Sequence, residues 1–270
     1  MAEVPEVETI VRDLRAAVVG RPILRAEVVN SEAIRFPAPA EFEALVAEHV
    51  VMAAERRSKH ILLPLDDDLL LAIHFMLWGT LLLGPAARRR PPETLIVFSL
   101  DNQQEIQFLD KLGYARAAVG PHAEVVARLG LDELGPDALD PAFTVAVLAA
   151  RLAKRRSPLK TVLLNQKIIS GLGNRDADES MWMAQIDPRR TATSLNEAEL
   201  QALYAAICHV LKEGLDLRGT QADLFGVQGR AKHRRMVFER TSQPCPRCGT
   251  PVAHLKLGGR NTHYCPACQR

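Results

Sequence analysis

Cys245-Pro246-Arg247-Cys248 and Cys265-Pro266-Ala267-Cys268 stand sixteen residues apart near the end of a 270-residue chain. The pattern is two knuckles joined by a span that suits a β-hairpin. Four thiolates placed this way enclose one tetrahedral Zn2+ and leave no coordination position open, so the expected site is structural and not catalytic. Disulfides are the competing chemistry. The chain opens with Glu3, Pro5, Glu6 and Glu8 and not with a basic and then apolar leader, and in that context the spacing favours metal. Pro244, Pro246, Gly249 and Pro266 supply tight turns around the ligands. Between the knuckles, Leu255-Lys256-Leu257-Gly258-Gly259-Arg260-Asn261-Thr262-His263-Tyr264 reads as strand, glycine turn and strand, which places Arg260 at a hairpin tip. The fifth cysteine, Cys208, falls in a helical apolar pattern over 200–211 and reads as a core residue.

Charge is unevenly placed around this element. The whole chain carries a formal +2, yet residues 218–270 hold ten Lys or Arg against Asp223 and Glu239, an excess of eight positive charges. Basic residues interleaved with Phe225, Val227, Met236, Val237 and Phe238 suit a folded surface that neutralises phosphates better than a solvated tail. No apolar run approaches the roughly 18 to 20 residues that span a bilayer. The expectation is therefore a cytoplasmic, nucleoid-associated monomer with no membrane partner.

The remainder divides by hydrophobic period. Val7, Ile10, Val11, Leu14 and Val18 predict an amphipathic helix over 5–19, with Glu6 and Glu8 favouring its positive end. Short β-like runs follow at 61–65, 69–74, 80–83, 95–100 and 105–109, which argues for an antiparallel sandwich. Gly, Pro and Asp concentrate over 129–141 as in a hinge. Helical patterns then occupy 142–153, 157–169, 176–185 and 194–215. The fold class is α+β multidomain: an N-terminal helix plus antiparallel β-sandwich over 1–130, a helical domain over 131–235 and a zinc finger over 236–270. Arg88-Arg89-Arg90 reads as an exposed basic loop, and residues 218–226 as a mobile one. Lys160 precedes Leu163-Leu164-Asn165-Gln166 and the turn Gly171-Leu172-Gly173-Asn174, where free backbone N–H groups at a helix start could receive a phosphate; alone, this is also an ordinary helix connection.

Taken in order, these pieces resemble the formamidopyrimidine/endonuclease VIII (Fpg/Nei) family of DNA glycosylases over nearly the whole chain. The resemblance rests on Glu3-Val4-Pro5-Glu6-Val7-Glu8-Thr9, Arg56-Arg57-Ser58-Lys59, and His74 followed five residues later by Gly79. It continues through Leu163-Leu164-Asn165-Gln166, Gly171-Leu172-Gly173-Asn174 with Ala177-Asp178-Glu179, and Gly258-Gly259-Arg260 with Thr262-His263 in the finger. It implies a bilobed enzyme with a helix-two-turn-helix domain, one structural Zn2+, and double-stranded DNA containing a damaged base or abasic site as its partner. The implied reaction removes an extruded base, an oxidised purine, a formamidopyrimidine or an oxidised pyrimidine, because the scissile bond is out of reach inside the stack. An N-terminal amine attacks C1′ and the resulting Schiff base leads to lyase chemistry by β/δ-elimination.

Carried onto this sequence, the resemblance makes Ala2 the amine, Glu3 a proton donor and Glu6 its support. Lys59 binds phosphate and assists elimination, Asn174 and Arg260 grip the flanking phosphates, and Lys160 adds a backbone contact. Lys111 and His74 complete the implied DNA-binding set. In isolation, Glu3 and Glu6 would read as ordinary helix-start acids and Lys59 as a surface lysine. The chain departs from the family at four places: Ala2 stands where proline is usual, Asp110-Lys111-Leu112-Gly113 is a shortened loop, Leu77 stands for a methionine, and Arg175-Asp176 for Ile-Tyr. These departures keep two alternatives in view, a monofunctional or non-catalytic damaged-DNA-binding paralogue and a general zinc-ribbon nucleic-acid module.

Overall fold

In the computed structural model, which describes residues 2–270, the chain forms two compact units. The first runs to Asp132 and reclaims Arg218–Gly229; the second comprises Glu133–Leu217 and Arg230–Arg270.

The first unit begins with α1 (Val4–Ala17), whose Val7, Ile10, Val11 and Leu14 are buried along one stripe. After it come β1 (Pro22–Val28), β2 (Ile34–Phe36), α2 (Pro39–Val46), β3 (His49–Val50), β4 (Glu55–Arg57), β5 (His60–Pro64) and β6 (Leu69–His74). The unit's main body closes with β7 (Thr80–Pro85), β8 (Thr94–Leu100), β9 (Gln104–Leu109), β10 (Arg116–Pro121) and α3 (His122–Leu129). Two five-stranded sheets result, ordered β3-β1-β8-β9-β7 and β2-β10-β6-β5-β4, antiparallel except for the β10 and β2 pair. Their inner faces share one core that includes Ile61, Leu63, Leu71 and Ile73 from one sheet and Ile96, Phe98, Ile106 and Phe108 from the other. The five runs read from the sequence are β5 to β9. β10, Arg-Ala-Ala-Val-Gly-Pro, went unread because small residues carry little strand preference, and its place between β2 and β6 is decided by pairing.

The second unit contains α4 (Val145–Leu152), α5 (Leu159–Leu163), α6 (Asn174–Met183), α7 (Glu197–Asp216) and the hairpin β11 (Ala253–Leu257) and β12 (Arg260–Tyr264). The helical pattern expected over 157–169 shrinks to α5. Asn165 Oδ1 accepts the Lys167 N–H at 3.0 Å, and Gln166 turns its side chain onto the loop, so local side-chain bonds outcompete the helix. The hairpin segment is not a detached module: Val237, Cys245, Val252 and Cys265 form one apolar cluster with Trp182 of α6. Among the described residues, no helix is long and apolar enough to cross a membrane.

Candidate functional site

In the first unit the chemistry-bearing residues gather at the start of α1. Glu3 is the residue before the helix, and Pro5 occupies its first turn, where a missing N–H leaves no bond unmade. Glu3 and Glu6 are both buried. Glu6 Oε2 accepts the Glu3 N–H at 2.8 Å, while its Oε1 accepts the Thr220 N–H at 2.7 Å and the Thr220 hydroxyl at 2.9 Å. One carboxylate therefore ties the chain's beginning to a segment more than two hundred residues away. Gly219 makes this approach feasible: its φ is +69°, and a Cβ there would stand 2.8 Å from Glu6 Cγ. The Ala2 N–H donates to the Leu77 carbonyl at 3.2 Å, so the turn after His74 fixes where that nitrogen lies.

The segment around Thr220, which reads as mobile in sequence, is pinned at several points. Arg218 pairs with Asp13 and Asp223, both at 2.6 Å, and Asp223 accepts the N–H groups of Phe225 and Val227. Leu224 is buried, whereas Phe225 and Val227 remain exposed at the tip.

Lys59 lies in the β4–β5 turn, which Arg56 fastens to α1 through an ion pair to Glu8 at 2.8 Å and a bond to the Ser58 carbonyl at 2.9 Å. This tether places Lys59 on a turn held against the same helix that carries Glu3 and Glu6. His74 ends β6 opposite His60, the two rings meeting edge to face at 4.5 Å. The His74 Nδ1 accepts the Met76 N–H at 3.0 Å. Burial, assisted by neighbouring charge, drives His74 down to about 3 and His60 down to about 4, so both are neutral near pH 7. Lys111 is exposed on a tight loop shaped by Asp110, whose carboxylate accepts the N–H groups of Leu112, Tyr114 and Ala115.

In the second unit, Gln166 builds the turn before α6. Its Oε1 accepts the Gly171 N–H at 2.8 Å and its Nε2 donates to the carbonyls of Leu164 and Leu172. Gly171 takes a φ of +97°, and Asn174 opens the helix. Arg260 is exposed at the hairpin tip, following Gly258 and Gly259 with φ of +52° and +75°.

Lys160 requires a correction. It is fully buried, its Nζ 2.6 Å from Asp178 Oδ1 and donating to the Asn261 carbonyl at 2.7 Å. A lysine so enclosed cannot reach a DNA backbone. It holds the hairpin instead, in concert with Asp178, whose Oδ2 accepts the His263 N–H at 2.9 Å. Asp178 lies one turn after Asn174, so the helix face that presents Asn174 also anchors the strand carrying Arg260. Glu179 beside it accepts the N–H groups of Met236, Val237 and Phe238; burial raises its pKa against those three donors. The Arg175-Asp176 departure is a buried ion pair at 2.9 Å.

The four cysteine Sγ atoms of Cys245, Cys248, Cys265 and Cys268 lie within 4.8 Å of one another. A tetrahedral Zn2+ with bonds of about 2.3 Å needs sulfurs about 3.8 Å apart; the Cys248–Cys265 and Cys245–Cys268 separations are 3.5 Å and 4.0 Å. The donor set fits one structural zinc. Trp182 Nε1 donates to Cys245 Sγ at 3.4 Å, the kind of outer bond that orients a thiolate ligand.

Sequence models of the formamidopyrimidine-DNA glycosylase N-terminal domain match residues 1–117, and those of its H2TH domain residues 134–225. The zinc finger found in FPG and IleRS matches residues 242–270. The chain belongs to the formamidopyrimidine-DNA glycosylase family. It is 42% identical to the formamidopyrimidine-DNA glycosylase of Moorella thermoacetica, across 95% of both chains. It is 41% identical to that of Symbiobacterium thermophilum, across all of this chain and 89% of the relative. The Lactococcus lactis Fpg solved with abasic-site DNA superposes with a TM-score of 0.92 at 25% identity, covering 100% of both chains. Within this glycosylase family frame, sequence reading missed Thr220, Gly219 and the Lys160–Asp178–His263 lock. Asp178 had a legible signal, an acid four residues after Asn174 in the Ala177-Asp178-Glu179 run.

Proposed function

We propose that this chain removes a damaged base, an oxidised purine, a formamidopyrimidine or an oxidised pyrimidine, from double-stranded DNA and then cleaves the abasic site by β/δ-elimination. The observation that carries the reading is the start of α1, where the Ala2 nitrogen is held by Leu77 beside the buried Glu3 and Glu6. Relatives support the substrate class: the Lactococcus lactis protein has been solved with abasic-site, oxidised-pyrimidine and FAPY-dG DNA.

Once Met1 is removed, Ala2 offers a primary amine. The amine forms a C1′–N bond as the C1′–base bond breaks; the base leaves with that electron pair and takes up the proton the amine gives up. The C1′–O4′ bond then breaks, O4′ taking the Glu3 proton while the nitrogen lone pair closes a protonated Schiff base. Glu6 holds the backbone of Glu3 and the Thr220 segment in place, Lys59 assists elimination, and Asn174, Arg260, His74 and Lys111 bind the strand. The four-cysteine zinc supplies no step; it fixes the hairpin that presents Arg260. The same reading, with double-stranded DNA as substrate, supports a cytoplasmic, nucleoid-associated location.

Borohydride added to protein and a duplex bearing one defined lesion should trap a covalent adduct at Ala2, identified by mass spectrometry. Base release without an adduct would mean a monofunctional glycosylase. Tight binding with neither product would overturn the enzymatic reading in favour of a lesion-binding paralogue.

A further inference from the structure

Ile61, Leu63, Leu71, Ile73, Ala117 and Val119 point into the sandwich core. By strand alternation His60, Ala72, His74, Arg116 and Ala118 therefore face the other side of the second sheet. There they line a half-open cavity of about 440 Å3, which Leu129 of α3, Met76, Tyr114 and Arg35 complete. The volume lies in the range of small-molecule sites.

Its chemistry is one-sided. Arg35 and Arg116 bring two positive charges, and among the described residues that line it there is no carboxylate. Arg116 is held by bonds from Nη1 to the carbonyls of Gly113 and Ala115, which leave its charge in place, and Arg35 adds a second, exposed guanidinium to the lining. His74 accepts the Met76 N–H through Nδ1 and so carries its proton on Nε2, making the neutral ring a donor there. Ala72, Ala118 and Leu129 give an apolar floor, and Tyr114, half exposed, offers an aromatic face at the rim. Donors, a cation, a flat apolar floor and an aromatic rim together select a planar, acceptor-rich anion.

We propose that this cavity binds a nucleotide, with the base on the alanine floor against Tyr114 and the phosphate at Arg35. The same chemistry has two sources, a free nucleoside monophosphate or a nucleotide of a DNA strand. His74 and Met76 of its lining precede Leu77, whose carbonyl holds the Ala2 nitrogen; a DNA nucleotide here rests on the proposed strand-binding role of His74, whereas a free monophosphate does not.

The test is calorimetric titration of the full-length zinc-loaded protein with dGMP, dAMP and dCMP, with deoxyguanosine and inorganic phosphate as separate probes. Saturable binding of a monophosphate is expected, weakened about tenfold or more when the phosphate is removed, a loss of about 1.4 kcal/mol. Arg35→Ala should weaken it similarly, and Tyr114→Ala should weaken base-bearing ligands but not phosphate. Both positions are exposed, and unchanged thermal unfolding of each variant confirms that the fold is intact. Displacement of the monophosphate by an abasic duplex assigns the site to a DNA nucleotide; co-binding assigns it to the free one. Absence of saturation at millimolar monophosphate, equal affinity for inorganic phosphate, or indifference to both substitutions overturns the proposal.

Discussion

Glu6 in the first unit and Asp178 in the second have the same outward description: a buried helix carboxylate that captures backbone from a distant part of the chain. Their partners differ. Glu6 is gripped by N–H and hydroxyl donors from Glu3 and Thr220, whereas Asp178 faces the ammonium of Lys160 at 2.6 Å as well as the His263 backbone. Fully buried pairs such as the latter leave one charge stranded when the other is removed, which suits architecture. The Glu3 and Thr220 donors fix the position of the Glu6 carboxylate beside the Ala2 end of the chain, where the proposed function needs it held. The contrast separates a carboxylate that positions the chain's N-terminal residues from one that holds a hairpin.

The sharpest way to break this contrast is at Glu3. Glu3→Gln keeps the size and the backbone bond to Glu6 but removes the proton; base release under single turnover should fall by about 10²- to 10⁴-fold, the usual worth of a general acid. Thermal unfolding should barely move, and a large loss of stability with rates preserved would reverse the assignment of roles. Lys160→Met should do the opposite. Leaving Asp178 buried without its cation should cost about 3–5 kcal/mol in urea unfolding, and Asp178→Leu added to it should restore much of that loss. If Lys160→Met instead left stability intact and raised the salt sensitivity of DNA binding, the lysine would be a phosphate contact after all.

Gly219→Ala tests the close approach on the first side. A side chain at a φ of +69° with its Cβ 2.8 Å from Glu6 should cost about 1–3 kcal/mol and slow base release, because Glu6 is what the methyl displaces. An alanine variant with unaltered Tm and rate would show that the Glu6–Thr220 contact is dispensable. The smallest effect concerns pH. His60 and His74 hold folded-state pKa values of about 4 and about 3, below the ordinary 6.5, with Arg35 facing both rings and Lys59 also facing His74. The unfolded chain accepts protons that the folded one refuses, so their stabilising contribution is complete above pH 6.5 and lost as pH falls toward 4. The slope is at most about 1.4 kcal/mol per pH unit for each ring. Urea midpoints from pH 7 to pH 5 in wild type and His60→Phe should show a shallower fall in the variant.

What could be read before folding follows from range. The zinc ligands are two short knuckles with fixed local spacing, and β5 to β9 each announce themselves within five to seven residues, because a short apolar run bounded by turn residues is a local property. Lys160 shows the limit. A lone lysine ahead of a glycine turn looks like a phosphate contact, and nothing nearby says that Asp178 and the Asn261 carbonyl will close over it. The 218–226 loop misled for the same reason, since its Gly, Thr and Gln suggest mobility while its restraints, Glu6 and Asp13, lie at the other end of the chain.

The sequence by itself determined the four-cysteine zinc site, the helix-then-sandwich order and the helical region, all of them expressed in local spacing and hydrophobic period; the acids at positions 3 and 6 stood out only through the family resemblance. Tertiary structure alone decided which carboxylate holds a loop and which holds a lysine, and where a donor-lined cavity opens on the second sheet. Burial and hydrogen-bond partnership depend on residues brought together from far apart along the chain, and no local pattern carries that information.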